Sequence, residues 1–300
     1  MIGLVLALLS GFSFAASAIF IRRGVYRSGE SFSPVPISVF LGVVFFGLLL
    51  LIPGQAEQFT SLSWLGAGSL AGAGVIHFVL GRMAAYTSIR LIGATRAAPI
   101  VTCSILFAAL LGIFFLGEPV TISLVLALLL IVGGIILIGT TGNSGTGKMD
   151  VSKGSLAKGL FFALGAALCW GSSPALIKIG LREVNSPLLA TFISYTTASM
   201  VVGSLLFNPR NNEKLRRLDR TSLIHLIIGG ITVSIAQALR YAALVYSPVS
   251  VVAPIHTGTS GIFIFPLSFL LNREIETFNP RIIMAAIAVM AGVFLLFWAA

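Results

Sequence analysis

Charge is what this sequence has least of: charged residues fill 9% of its 300 positions, whereas a soluble globular domain carries roughly 25%. That scarcity excludes water as the main solvent. Carboxylates are scarcer still, with 9 Asp and Glu against 19 Lys and Arg and a formal net charge of +10. No acidic residue falls near the middle of an apolar stretch, so a pump that exchanges cations on a membrane carboxylate would lack its central group. Only two cysteines occur, Cys103 and Cys169, each inside an apolar run. That excludes a disulfide framework and a Cys-based zinc site, and both read as packing residues. Basic clusters on a soluble surface with interleaved aromatics are missing too, so the positive charge does not point to nucleic acid.

What the chain has in quantity is apolar residues, 57% of it, in stretches of about 20, the length a helix needs to cross roughly 30 Å of hydrocarbon. Backbone in lipid must be paired within its own segment, so each stretch is expected to be helical. Ten can be placed, at residues 2–21, 36–53, 63–86, 95–116, 120–139, 158–178, 187–207, 222–244, 250–271 and 280–299. The expected fold class is an all-α integral membrane protein of ten transmembrane helices. Ala16-Ser17-Ala18 resembles the cleavage site of a secretory leader, but the basic region of a leader is missing. Residues 3–25 also have a counterpart later in the chain, so they are kept as the first span.

Sliding the second half over the first places Gly3, Leu4, Ala7, Leu8, Ile21 and Gly24 on Gly159, Leu160, Ala163, Leu164, Ile177 and Gly180, with Arg22 on Lys178. Nearby offsets bring Ser33-Pro34 onto Ser186-Pro187, Ala98-Pro99-Ile100 onto Ala253-Pro254-Ile255, and Glu118 onto Glu274. The reading is two five-helix repeats, residues 1–140 and 158–300, joined by a flexible linker at 141–157. Because five is odd, the second repeat enters from the opposite side of the membrane, which makes the repeats inverted. Within the linker, Gly142 to Lys148 matches the start of a phosphate-binding loop, but Met149 stands where Ser or Thr is needed and a membrane span precedes it. Sixteen Lys and Arg lie in the loops after odd-numbered spans and three elsewhere, counting Arg240. That bias puts the odd loops in the cytoplasm and both termini outside, in an inner or plasma membrane.

These features resemble the drug/metabolite transporter superfamily, specifically its EamA-type ten-helix permeases. The resemblance covers nearly the whole chain and rests on the doubled unit, on Leu168-Cys169-Trp170-Gly171, on Ala98-Pro99 and Ala253-Pro254, and on Gly117-Glu118, with Arg273-Glu274 departing from that last motif in the second copy. The family implies a secondary carrier that works by alternating access, often an exporter, with a central cavity lined by both repeats. Its substrates range over amino acids, nucleotide-sugars, sugar phosphates and lipophilic cations.

Ionisable residues inside spans are costly and mark candidate sites. His77 and Arg82 lie in the third span with Tyr86 one turn beyond, and Gln237, Arg240 and Tyr241 share one face of the eighth. Guanidinium suits bidentate capture of carboxylate or phosphate, which suggests an amino acid or another organic anion or zwitterion as substrate. Alternatively, each arginine snorkels to an interface. His256 follows Pro254 among Thr257, Thr259 and Ser260, as Thr102 and Ser104 follow Pro99. Either polar cluster could bind substrate or satisfy a carbonyl that the proline frees. His77 and His256 could carry a coupling proton, the other coupling choice being a counter-substrate, and no cofactor or metal is expected. Trp170 and Tyr195 are candidate cavity aromatics, and Glu118 and Glu274 candidate caps or gating contacts. Gly68 and Gly72 allow close helix approach within the bundle or in a dimer, the assembly being a monomer or homodimer. The expected partners are a small-molecule substrate and the lipid bilayer. The alternative function is export of lipophilic cations or drugs on the same fold. A passive channel would show flux that does not saturate, and an enzyme would need a nucleophile with its base or a metal cluster, which the sequence does not offer.

Overall fold

The computed structural model of the chain describes residues 1–28, 32–52, 62–92, 97, 100–141, 153–184, 186–271 and 280–298, and among them every regular element is helical. In order they are α1 (Ile2–Ser28), α2 (Pro34–Leu49), α3 (Trp64–Gly74), a π-helical stretch (Val75–Gly81), α4 (Arg82–Ile92), α5 (Ser104–Leu116), α6 (Ile122–Thr141), α7 (Lys153–Leu181), α8 (Pro187–Leu206), α9 (Pro209–Arg216), α10 (Arg220–Tyr246), α11 (Val249–Leu271) and α12 (Pro280–Trp298). Five described stretches are long and apolar enough to cross a membrane: Ile2–Val25, Trp64–Ser88, Gly154–Leu181, Pro187–Leu206 and Arg220–Tyr246. Shorter apolar helices lie at Pro34–Leu49, Ile100–Leu116, Ile122–Gly134, Val249–Ile264 and Ile287–Leu296. Large apolar side chains such as Phe114, Phe115, Leu129, Phe161 and Met200 face outward. In water such a surface would drive association, whereas in hydrocarbon it costs nothing.

The two halves are cross-packed. The first helix, α1, lies against α10 and α11 of the second half, and α7, the first long helix of the second half, lies against α3, α4 and α5 of the first. Small residues permit the closest approaches. A side chain at Gly74 would put its Cβ 2.0 Å from the Ser194 carbonyl oxygen, so α3 and α8 touch backbone to backbone there. Within the bundle the Gly68 and Gly72 pair does not act this way. Gly68 has open space where a Cβ would stand, and Gly72 would meet only Leu176 Cδ1 at 4.0 Å.

Helix ends follow local chemistry. Gly117 ends α5 in the left-handed region at φ 70°, which only glycine adopts without strain. The reversal returns the Glu118 N–H to the Gly112 carbonyl at 3.1 Å. It also aims the Glu118 carboxylate at the N-terminus of α11, where Oε1 accepts from Val249 N at 2.6 Å and Oε2 from Ser250 N at 2.8 Å. Glu118 therefore caps a helix of the other half. Glu118→Ala should cost about 1–2 kcal/mol through the two uncapped donors, read as a lower melting temperature of the detergent-purified protein. An unchanged melt would mean that water replaces the carboxylate.

The short helix α9 falls in the break between the spans placed at 187–207 and 222–244, and it starts at Asn208-Pro209, an N-cap followed by a first-turn proline, where Asn208 Oδ1 accepts from Arg210 N at 3.1 Å. Next along the chain, Asp219 caps α10, accepting from Thr221 N and Ser222 N at 3.2 and 3.3 Å, and meets Arg27 Nε at 3.3 Å. The Ser222 hydroxyl, then the Ser222 N–H and the Arg27 guanidinium, hold this exposed carboxyl below its usual range. A carboxyl depressed in the folded state stabilises above its unfolded pKa and loses that contribution as pH falls through its folded value. Asp219→Asn should flatten that acidic limb of a melting-temperature profile. An unchanged limb would assign it to other carboxyls.

Candidate functional site

The site begins with a proline. Pro174 lies inside α7 and has no N–H for the carbonyl four residues back, that of Trp170. Ser173 takes up the freed acceptor, its Oγ donating to Trp170 O at 3.3 Å. A hydroxyl has one proton, so toward His77 Nδ1, 2.8 Å away, Ser173 accepts. His77 therefore carries its proton on Nδ1 and turns Nε2 outward as an acceptor, an assignment made from the hydrogen-bond network. Arg240 Nη1 donates to that Nε2 at 3.3 Å and Gln237 Nε2 at 3.4 Å. The ring is neutral in this state, and it cannot take up a coupling proton on Nε2 without giving up Arg240.

His256 is held by the same logic. Ser10 Oγ donates to the Ala236 carbonyl at 2.6 Å and so accepts from His256 Nδ1 at 2.9 Å. Each histidine is thus fixed by a serine on the first long helix of the other half, α7 for His77 and α1 for His256.

Between α3 and α4, Val75–Gly81 wind as a π-helix. Along an α-helix, five residues at about 100° each would leave Arg82 roughly 140° around from His77. The wider turn of i→i+5 bonding brings the two toward one side, and both line a cavity of about 140 Å³. Trp170 Nε1 donates to the His77 carbonyl at 3.1 Å, which ties α7 to the widened turn. Arg82 is buried rather than snorkelling: Nη1 donates to Ser38 Oγ at 2.6 Å, and the guanidinium lies 5.3 Å from the Phe78 ring centroid, within cation–π reach.

His77, Arg82, Trp170, Arg240 and His256 therefore share one cavity, together with the hydroxyls of Ser104, Thr257 and Ser260. Gln237 reaches it only through His77. The other aromatic candidates stand behind its wall. Tyr195 is fully buried with its ring 4.3 Å from Phe78 and 5.3 Å from Phe46, Tyr86 packs on the same cluster, and Tyr241 is buried in the main apolar core. The Tyr195 hydroxyl faces Ser234 and Arg82, and that of Tyr241 faces Ser194, all outside hydrogen-bond geometry. Pro254 lies within α11 beside the cavity residue Ala253. Pro99 and Glu274 lie outside the described residues. Among the described residues no three His, Cys, Asp or Glu side chains gather as a metal site.

At one end of the bundle the Glu118 cap and an Arg182 contact join the two halves, and Lys178 ties two helices of the second half. Besides the Glu118 cap, Lys178 Nζ donates to the Leu244 carbonyl and, at 3.2 Å, to that of Ser247, while Arg182 Nη2 donates to Leu116 O at 3.3 Å. At the opposite end Arg27 meets Asp219, and Ser88 Oγ donates to Gly159 O at 2.9 Å.

The model of the EamA-like transporter family matches the chain twice, over residues 1–140 and 157–298. The chain belongs to the EamA-like transporter family. It is an integral, multi-pass membrane protein, and its family is one of transporters rather than enzymes. A protein solved as a crystal structure has the same fold, with a TM-score of 0.73 at 16% identity over 98% of this chain and 97% of that one. No curated protein sequence matches.

In this EamA-like chain the residues that sequence reasoning missed are Ser10, Ser38 and Ser173. Ser173 had a signal in the Pro174 that follows it. The others had none, because a serine in an apolar helix commonly bonds back to its own helix, as Ser69 does to Leu65 O at 2.8 Å.

Proposed function

We propose that this EamA-like protein is a ten-span secondary carrier of two inverted five-helix repeats that moves a small organic anion or zwitterion by alternating access, as an exporter. In this reading the loops after odd-numbered spans face the cytoplasm, with the protein in the inner or plasma membrane. The observation that carries it is Arg240. Its side chain is 4% exposed, borders the cavity, and keeps a buried Nε with no acceptor. A buried charge left unpaired costs several kcal/mol, a cost that an anionic ligand removes. The Glu118 and Arg182 contacts at one end and the Arg27 and Ser88 contacts at the other would be the two gates that break in turn, the substrate being held at midplane between them. Coupling runs through counter-substrate, or through a proton once Arg240 leaves His77.

Panels of amino acids, organic acids, sugar phosphates and lipophilic cations added to the detergent-purified protein test the reading, since a ligand at about 100 times its Kd stabilises by roughly 2.7 kcal/mol. Anionic or zwitterionic compounds should raise the melting temperature of the native chain and not of Arg240→Ala. They should also show saturable, counter-substrate-stimulated flux in liposomes. Stabilisation by lipophilic cations that survives in Arg240→Ala would overturn the proposal.

A further inference from the structure

The charge count inside the cavity narrows the substrate further, on the assumption that the anion or zwitterion reading above holds. Among the described residues two guanidiniums border it, those of Arg82 and Arg240, respectively 7% and 4% exposed. Neither takes part in the ion pairs found among the described residues, Arg27 with Asp219 and Arg217 with Glu213, both of which are exposed. The partners that the arginines do have are neutral: Ser38 and the Phe78 ring for Arg82, His77 for Arg240. Among the described residues the cavity wall holds no carboxylate. It consists of the two arginines, two histidines, the hydroxyls of Thr102, Ser104, Thr257 and Ser260, and apolar or aromatic side chains.

We infer that this cavity takes a small organic dianion, one negative charge for each guanidinium, rather than a zwitterion. An amino-acid zwitterion would satisfy one arginine with its carboxylate and bring its ammonium beside the other with no acid to receive it. Like charges in a site of low dielectric repel strongly. A monoanion would leave one guanidinium buried and uncompensated. Size limits the dianion as well. A cavity of about 150 Å³ accommodates benzene, so the 140 Å³ here suits a molecule with a backbone of a few atoms and an anionic group at each end, or a small phosphate monoester.

The test compares probes of nearly one length at neutral pH and constant ionic strength: succinate (a dianion), butyrate (a monoanion) and 4-aminobutyrate (a zwitterion), with glycerol phosphate as a second dianion. Melting-temperature titrations of the full chain should give succinate or glycerol phosphate an apparent Kd at least about tenfold below that of butyrate, because one further charge-assisted contact contributes roughly 1.5–3 kcal/mol. The zwitterion should bind no better than butyrate. In Arg82→Gln the dianion should fall to the level of butyrate, while Arg82→Lys, which keeps the charge and guards against a folding artefact, should retain the preference. Binding of 4-aminobutyrate or butyrate as tight as that of the dianions, and dependent on Arg240, would overturn the inference and leave the anion or zwitterion reading standing. Silence toward both dianions overturns it too, and the broader panel then decides the parent reading separately.

Discussion

In the absence of ligand, Arg240→Met should melt at a higher temperature than the native chain, by about 1–2 kcal/mol of stability, while binding the anionic substrate about a hundredfold more weakly. The two changes have one cause. Arg240 is buried with an Nε that no acceptor reaches, and its only described partner is the neutral His77. Methionine fills similar volume without charge, so the empty protein is relieved of a desolvated cation. The bound protein loses a forked, charge-assisted contact that makes the cation useful. An arginine kept for stability would give the reverse pattern, with Arg240→Met melting lower and binding unchanged. Paired thermal titrations of the two proteins separate these outcomes.

The larger structural effect is expected at Gly74. Gly74→Ala should cost about 3 kcal/mol, because the added methyl would stand 2.0 Å from the Ser194 carbonyl oxygen and neither backbone can rotate away as a side chain would. The strain also falls where α3 gives way to the π-helical stretch, so His77 should shift and ligand affinity should fall with stability. Gly68→Ala is the control. With open space at its Cβ position, it should be neutral or gain about 0.5–1 kcal/mol from helix propensity. Equal melting temperatures for the two variants would show that α3 and α8 do not meet as described.

How far these positions could be read beforehand differs by kind. Each apolar helix lies on a stretch that hydropathy alone marks out, because crossing lipid demands length and uniform apolarity. The burial of Arg82 was harder to see. Its spacing from His77 is wrong for an α-helix, and only the π-helical turn at Val75–Gly81, which no hydropathy pattern reports, sets the two on one cavity. Tyr195 and Tyr241 share helix faces with polar neighbours yet point into packing, because a face wide enough to border a cavity also borders the next helix. Of the two uses offered for Gly68 and Gly72, the approach within the bundle is not taken up at Gly68, which has open space at its Cβ position. Spacing says where a close approach is allowed, and the neighbouring helix took the allowance at Gly74 instead.

The serine ties on the two histidines make the site a joint property of the two halves. His77 depends on Ser173 and His256 on Ser10, each pair reaching across from one family-matched segment to the other. Neither half owns a finished site. A serine lost from one half is therefore expected to be felt first at a histidine of the other.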